Sequence, residues 1–159
     1  MQQAVRSLAW IVLVVMACRD ALAPPLTDGE LGATVGAKEF SATTVFVRLE
    51  DRELVLSAVD ERGGTRRSIA FTLSEVSDVG EYDLAVLGNV GGYAESQADS
   101  TQSWICRPGQ GTGSVTITEL TGTRVAGTFS FSAPALISSG AVGTKMISSG
   151  WFDVKPYRQ

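Results

Sequence analysis

From Leu31 onward apolar residues fall on every second position, and a chain written with that period folds as strands carrying one buried face. "TVFVRLE" sets Val45, Val47 and Leu49 on one side, and "RELVLSAV" does the same with Leu54, Leu56 and Ala58. "SIAFTLSEV" continues with Ile69, Phe71 and Leu73, and "EYDLAVLG" with Tyr82, Leu84 and Val86. Beyond a glycine-rich gap come "QSWICR", "GSVTITEL" with Val115 and Ile117, "RVAGTFSFSA" with Phe129 and Phe131, and "KMISSGWFDVKPY". Threonine, valine and phenylalanine fill these runs, as half-buried pleated strands prefer. The 3.6-residue period of an amphipathic helix is missing. Only "LSEVSDVG" has room for a helical turn, which Gly80 would end.

The breaks carry turn chemistry. Gly63 and Gly64 supply the positive backbone angles of a tight hairpin, and residues 108–113 and Thr121-Gly122 serve further on. Such short connections join antiparallel neighbours, because a parallel crossover needs a dozen residues or more. The expected fold is all-β, an antiparallel meander of about eight to nine strands closed as a barrel or folded as a two-sheet sandwich. The distinction bears on function, since a barrel of about eight strands can hold one small ligand inside.

The front of the chain is written differently. Residues 8–17 are an uninterrupted apolar run behind Arg6, shorter than the roughly 20 residues that span a bilayer and the right length for a secretory signal. Two cleavage points offer themselves. The triplet Ala21-Leu22-Ala23 has the small residues of ordinary signal cleavage, but Pro24 follows it, and a bond before proline suits a protease badly. Residues 15–18, reading VMAC, resemble a bacterial lipobox whose cysteine becomes acylated. The expected organisation is a signal over residues 1–17, a lipidated Cys18 with a tether through Pro24 and Pro25 over 18–29, and one β domain over 30–159. Each buried methylene of the acyl chains adds about 0.8 kcal/mol, so several chains make a lasting anchor. Arg19 is not the aspartate that resembles an inner-membrane retention signal, which points to the outer membrane of a bacterial envelope.

Composition narrows the chemistry. Removing Arg6 with the signal leaves 12 basic against 17 acidic residues, a net charge of about −5 that offers nucleic acid nothing. A chain that is 44% apolar at this length buries a real core. It has no histidine, which removes the usual general base, Ser-His-Asp and Cys-His catalysis, and the histidine-containing zinc and iron sites. No pair of carboxylates is singled out by spacing for a hydrolase or transferase, and no catalytic residue, metal or cofactor is assigned. With Cys18 acylated, Cys106 lacks an intramolecular partner; in "SWICRPG" it alternates with Trp104 and reads as a small buried residue. A Cys18–Cys106 disulfide requires that the lipobox reading fail.

Three motifs stand out as candidate sites. "GQGTGS" over residues 109–114 leads into a strand without a lysine and reads as a hairpin, not a phosphate loop. The acidic groups Asp78, Glu81, Asp83 and Glu50, Asp51, Glu53 lack EF-hand spacing and read as solvated strand ends. Tyr93, Trp104 and Trp151 are the candidate ligand contacts, set against core packing. If Phe152 and Val154 face inward, Trp151 faces out on the wet side of its sheet.

The ordered segments "FSA" after the Gly36 turn, "GEYDL", "SVTITEL", "VAGTFSFSA" and "SGWFDV", spread over about residues 30–155, resemble a family of uncharacterised bacterial lipoproteins. That resemblance implies an all-β extracytoplasmic module without an assigned activity, and no catalytic residue carries over. The expected function is a membrane-anchored, non-enzymatic binding or structural module, with either a small apolar ligand or another envelope protein open as its partner. The alternative is a calycin-like carrier holding a small apolar ligand inside a closed barrel.

Overall fold

The alternation becomes eleven strands in the computed structural model, which describes residues 29–157. In chain order they are β1 (Gly29–Val35), β2 (Lys38–Ser41), β3 (Thr44–Glu50), β4 (Glu53–Arg62), β5 (Thr65–Leu73) and β6 (Gly80–Asp83). β7 (Val90–Gln97), β8 (Ser100–Cys106), β9 (Thr112–Leu120), β10 (Val125–Pro134) and β11 (Thr144–Val154) complete the set. The signal, Cys18 and nearly all of the tether lie outside the described residues, and the first described residue, Gly29, already belongs to β1.

The strands form a six-stranded sheet in the order β2-β1-β11-β10-β9-β6 and a five-stranded sheet in the order β3-β4-β5-β7-β8. Every pairing between these strands is antiparallel. The sheets stay open, so of the two architectures the sequence allowed the molecule adopts the sandwich. Consecutive strands pair in β3-β4-β5 and β9-β10-β11, while β1 joins β11 and β6 joins β9, so the chain crosses between layers rather than running as one meander.

The extra strands have physical reasons. β2 holds four residues, too few to show a period, and the run read from Tyr82 to Val86 is strand only over Gly80–Asp83. β7 occupies the stretch that reads as a glycine-rich gap, and its inward position at Gly91 needs glycine: a Cβ there would lie 2.9 Å from Leu84 Cδ1. Residues 74–79 hold no helix; Glu75 takes a positive φ of 59° and Val76 drops into the core. The described residues contain one helical turn, a 3-10 turn at Ile137–Ser139 in the connection between β10 and β11.

Turn chemistry holds where strands are sequence neighbours. Gly63 and Gly64, at φ 60° and 76°, close the β4–β5 hairpin in two residues. Thr121 closes β9–β10, its Oγ1 accepting from the amides of Thr123 and Arg124 at 3.3 and 3.0 Å. The 109–114 stretch is not a hairpin. Residues 107–111 connect β8 in one sheet to β9 in the other, with Pro108 and Gly109 forming a tight turn between Arg107 and Gln110, and residues 112–114 already belong to β9.

Side chains from both layers meet in one core. Phe71 of β5 stands 5.6 Å, centroid to centroid, from both Phe129 of β10 and Phe152 of β11, so three rings from opposite sheets hold the centre. Leu54, Leu56, Ile69, Val115 and Ile147 pack around them without exposure.

Candidate functional site

The three candidate aromatics separate into two places. Tyr93 and Trp104 face each other across β7 and β8 with ring centroids 5.8 Å apart, and both are buried. Trp151 is 44% exposed on the opposite layer, on the outer side of β11, where its parity with Phe152 and Val154 places it.

Around Tyr93 and Trp104 the interlayer turns polar. Period-two parity continues past the apolar positions of β4, β5, β7 and β11 and carries Asp60, Arg67, Glu95 and Lys145 inward. Asp60 is fully buried; Arg67, its register partner, forms an ion pair with it and donates to the Glu39 carbonyl at 2.8 Å. The Arg67 guanidinium also sits 5.6 Å from the centre of the Phe40 ring. Arg62 Nε approaches the second Asp60 oxygen at 3.2 Å. Lys145 Nζ lies 4.5 Å from the Trp104 ring centre and 5.6 Å from that of Tyr93, and 3.2 Å from Glu95. Tyr93 donates to Glu95 at 2.6 Å, and Trp104 Nε1 to the Val142 carbonyl at 3.2 Å.

These contacts set the electrostatics. Burial first, then the hydrogen bond and charge of Glu95, push the Tyr93 phenol well above its ordinary value. Burial alone would raise Glu95, but hydrogen bonds from Tyr93 and Lys145, with the charges of Lys145 and Lys38, outweigh it and hold the carboxyl below its usual value. The chain's own ammonium thus occupies the place an outside cation would take over the two rings. Tyr93 and Trp104 serve as internal contacts of a charged end-cap.

Trp151 meets different surroundings. The register aligns Ser41, Gly32, Trp151, Thr128, Thr116 and Glu81 in a single row across all six strands. Gly32 points outward yet is buried, because the indole lies across it. A Cβ at Gly32 would stand 2.7, 3.0 and 3.2 Å from Trp151 Nε1, Cε2 and Cζ2. Glycine there lets the ring settle onto β1 and shields the β1 backbone in return. Met146, 56% exposed, lies on the same outer side of β11. Thr34, Ser148, Ser130 and Ser114 extend the hydroxyl-rich surface on the neighbouring row.

At one end of the sandwich, Gly29, the 120–124 turn and the 51–52 turn come together. An open hollow of about 500 Å³ is lined there by Glu50, Asp51, Arg52, Val76 and Thr121 among others. Asp51 and Arg52 close the β3–β4 hairpin with φ of 49° and 64°, without the glycine this loop usually takes. Four carboxylates of the two acidic groups are engaged locally, Glu50 and Glu53 by Arg48 and Asp78 and Asp83 by backbone amides. Arg52 pairs with Glu75 at 2.8 Å, Arg48 with Glu53 at 2.9 Å, and Asp78 and Asp83 accept from the amides of Val79 and Ala85. Among the described residues no cluster of histidine, cysteine, aspartate or glutamate is arranged to hold a metal. Cys106 is free and fully buried, and burial, with the Asp83 charge behind it, pushes its thiol up to about 11.

Sequence reasoning found Trp151 from local parity but missed Asp60, Arg67, Glu95 and Lys145. The signal was present for the first two. Asp60 is two positions beyond Ala58 and Arg67 two before Ile69, so extending the alternation places opposite charges inward on adjoining strands.

Comparison with known families matches residues 28–156 to a domain of unknown function (DUF6252). No curated protein and no solved structure matches the chain.

Proposed function

This chain belongs to the DUF6252 family, a domain of unknown function, and from that premise we propose that it is a lipid-anchored envelope lipoprotein whose sandwich is a non-enzymatic binding module. The anchor is Cys18, supported by the lipobox-like VMAC sequence behind an apolar run. The tether enters at Gly29, paired with Val154, while loop 135–143 lies at the opposite end of the same sheet. The body is thereby held at one end, with both outer faces clear of the attachment point.

The working surface is the outer face of the six-stranded sheet. A single observation carries this: an exposed tryptophan laid over a glycine, in a row that continues through Thr128 and Thr116 to Glu81. Most large apolar side chains of this sandwich go inside, and one kept outside and given a seat is a contact in waiting. The interlayer, filled by Phe71, Phe129 and Phe152, gives no support to a ligand carried between the sheets. The non-enzymatic reading is supported by the missing histidine and by arginine partners at the carboxylates of the loop ends.

Labelling cells with radioactive palmitate tests the anchor: label is expected on wild type and absent from Cys18→Ala, and equal label in both overturns it. Hydroxyl-radical footprinting of intact envelopes tests the face, since Trp151 and Met146 are exposed and readily oxidised. Both should be protected in the envelope relative to purified protein, while exposed Leu87, in the β6–β7 connection, is not. Equal oxidation of Trp151 and Met146 in the two preparations removes the surface from consideration.

A further inference from the structure

The aromatic row has a chemistry that selects its partner. Six strands at about 4.8 Å spacing make the row about 24 Å from end to end, the reach of a short oligomeric chain. Across β1, β11, β10 and β9 the row carries no charge: Gly32, Trp151, Thr128 and Thr116. Its charge enters at the β6 end, with Glu81. The hydroxyls of Thr128 and Thr116 make no hydrogen bond to the described residues, nor does the Trp151 indole N–H. The row therefore offers one flat apolar platform, unused donors and acceptors beside it, and an acidic boundary.

We infer that this face binds a neutral polysaccharide, one sugar ring stacking on the Trp151 indole where it lies over Gly32 and the next rings along the chain meeting Thr128 and Thr116 with their hydroxyls. The inference rests on the outer face being the working surface. A pyranose ring matches the row because it has an apolar C–H face surrounded by hydroxyls, and the indole provides apolar area with a polar handle. An acyl chain would need an apolar groove, whereas the row beside the indole carries Thr34, Ser148, Ser130 and Ser114 on one side and Glu30, Asp153 and Glu119 on the other. A peptide adding as a strand would need free backbone edges, and the row lies in the interior of the sheet face. Glu81 and the net negative charge disfavour acidic glycans and nucleic acid.

The test titrates the full-length protein with cellohexaose, chitohexaose and maltohexaose, with hexagalacturonate as the acidic probe, by calorimetry. Saturable binding to at least one neutral hexamer is expected, at least tenfold weaker in Trp151→Ala, with hexagalacturonate unbound. Removing the indole also uncovers Gly32, so Thr128→Arg provides a second variant that leaves the ring in place. Its long guanidinium side chain can stack on the neighbouring indole and block the platform, and it should also weaken binding at least tenfold. No binding by any neutral hexamer, binding unchanged in Thr128→Arg, or preference for hexagalacturonate overturns the inference. If Trp151 and Met146 are protected in the envelope while the neutral hexamers fail, the glycan is wrong and the face stands. If those residues are unprotected, the face itself fails.

Discussion

Replacing Arg67 with methionine gives a direct measure of the charged end-cap. Methionine keeps most of the aliphatic packing and removes the guanidinium from Asp60, from the Glu39 carbonyl and from the Phe40 ring. Asp60 is 0% exposed and Arg67 16%, so the lost partner leaves a carboxylate out of reach of water. Breaking a buried pair from one side costs about 3–5 kcal/mol, because the remaining charge stays desolvated. Arg62 remains 3.2 Å from the other Asp60 oxygen but is 59% exposed, which places the expected loss near the lower end, about 3 kcal/mol. For a domain of this size that lowers Tm by about 10–15 °C. Removing both charges reverses the logic. Asp60→Leu with Arg67→Met leaves no buried ion, and well-packed apolar replacements of such pairs are about neutral. Urea and thermal denaturation of wild type, Arg67→Met and the double variant, followed by circular dichroism, measure the three stabilities. The reasoning is refuted if Arg67→Met costs less than about 1 kcal/mol or if the double variant recovers nothing.

Cys106 should resist Ellman's reagent in the native protein and react once the chain is unfolded, because its thiol is buried and its pKa raised to about 11. Rapid native labelling mapped to Cys106 by peptide mass would contradict that placement. The Glu95 contacts predict a pH dependence. Its folded pKa is depressed, so their contribution is complete above the ordinary carboxylate range and is lost as pH falls through the lowered value. The Tm difference between wild type and Glu95→Gln should therefore be full at about pH 6 and shrink toward about pH 3. A difference that grows on acidification has the wrong sign for this network.

The strands were legible wherever the alternation ran unbroken, as in β3, β4, β5, β9 and β10. β7 was hidden because its inward position at 91 is a glycine whose space the Leu84 side chain takes, and a position without a side chain registers as a gap. In β11 a bulge at Ser149, φ 51°, shifts the parity between Ile147 and Phe152. Trp151 lies beyond that bulge, so reading its direction from Phe152 and Val154 succeeded where a count from Ile147 would have failed. Choosing between sandwich and barrel was beyond the sequence, since the two share strand lengths and parities and differ in which edges meet.

The site shows the same division between local and distant information. An outward direction for Trp151 follows from its immediate neighbours, but its meaning comes from Gly32, brought alongside by the pairing of β1 with β11 from opposite ends of the described chain. Gly32 alone reads as a weak point in a strand, and Trp151 alone as a stray aromatic. Paired, each accounts for the other: the glycine seats the ring, and the ring covers the glycine. Stability by itself would be served by a smaller residue at 151 and alanine at 32, a pair that exposes less apolar surface and stiffens the strand. That the chain carries the costlier combination beside Thr128 and Thr116, in a row whose one charge lies at the Glu81 end, is the reason to seek its explanation in what the row touches.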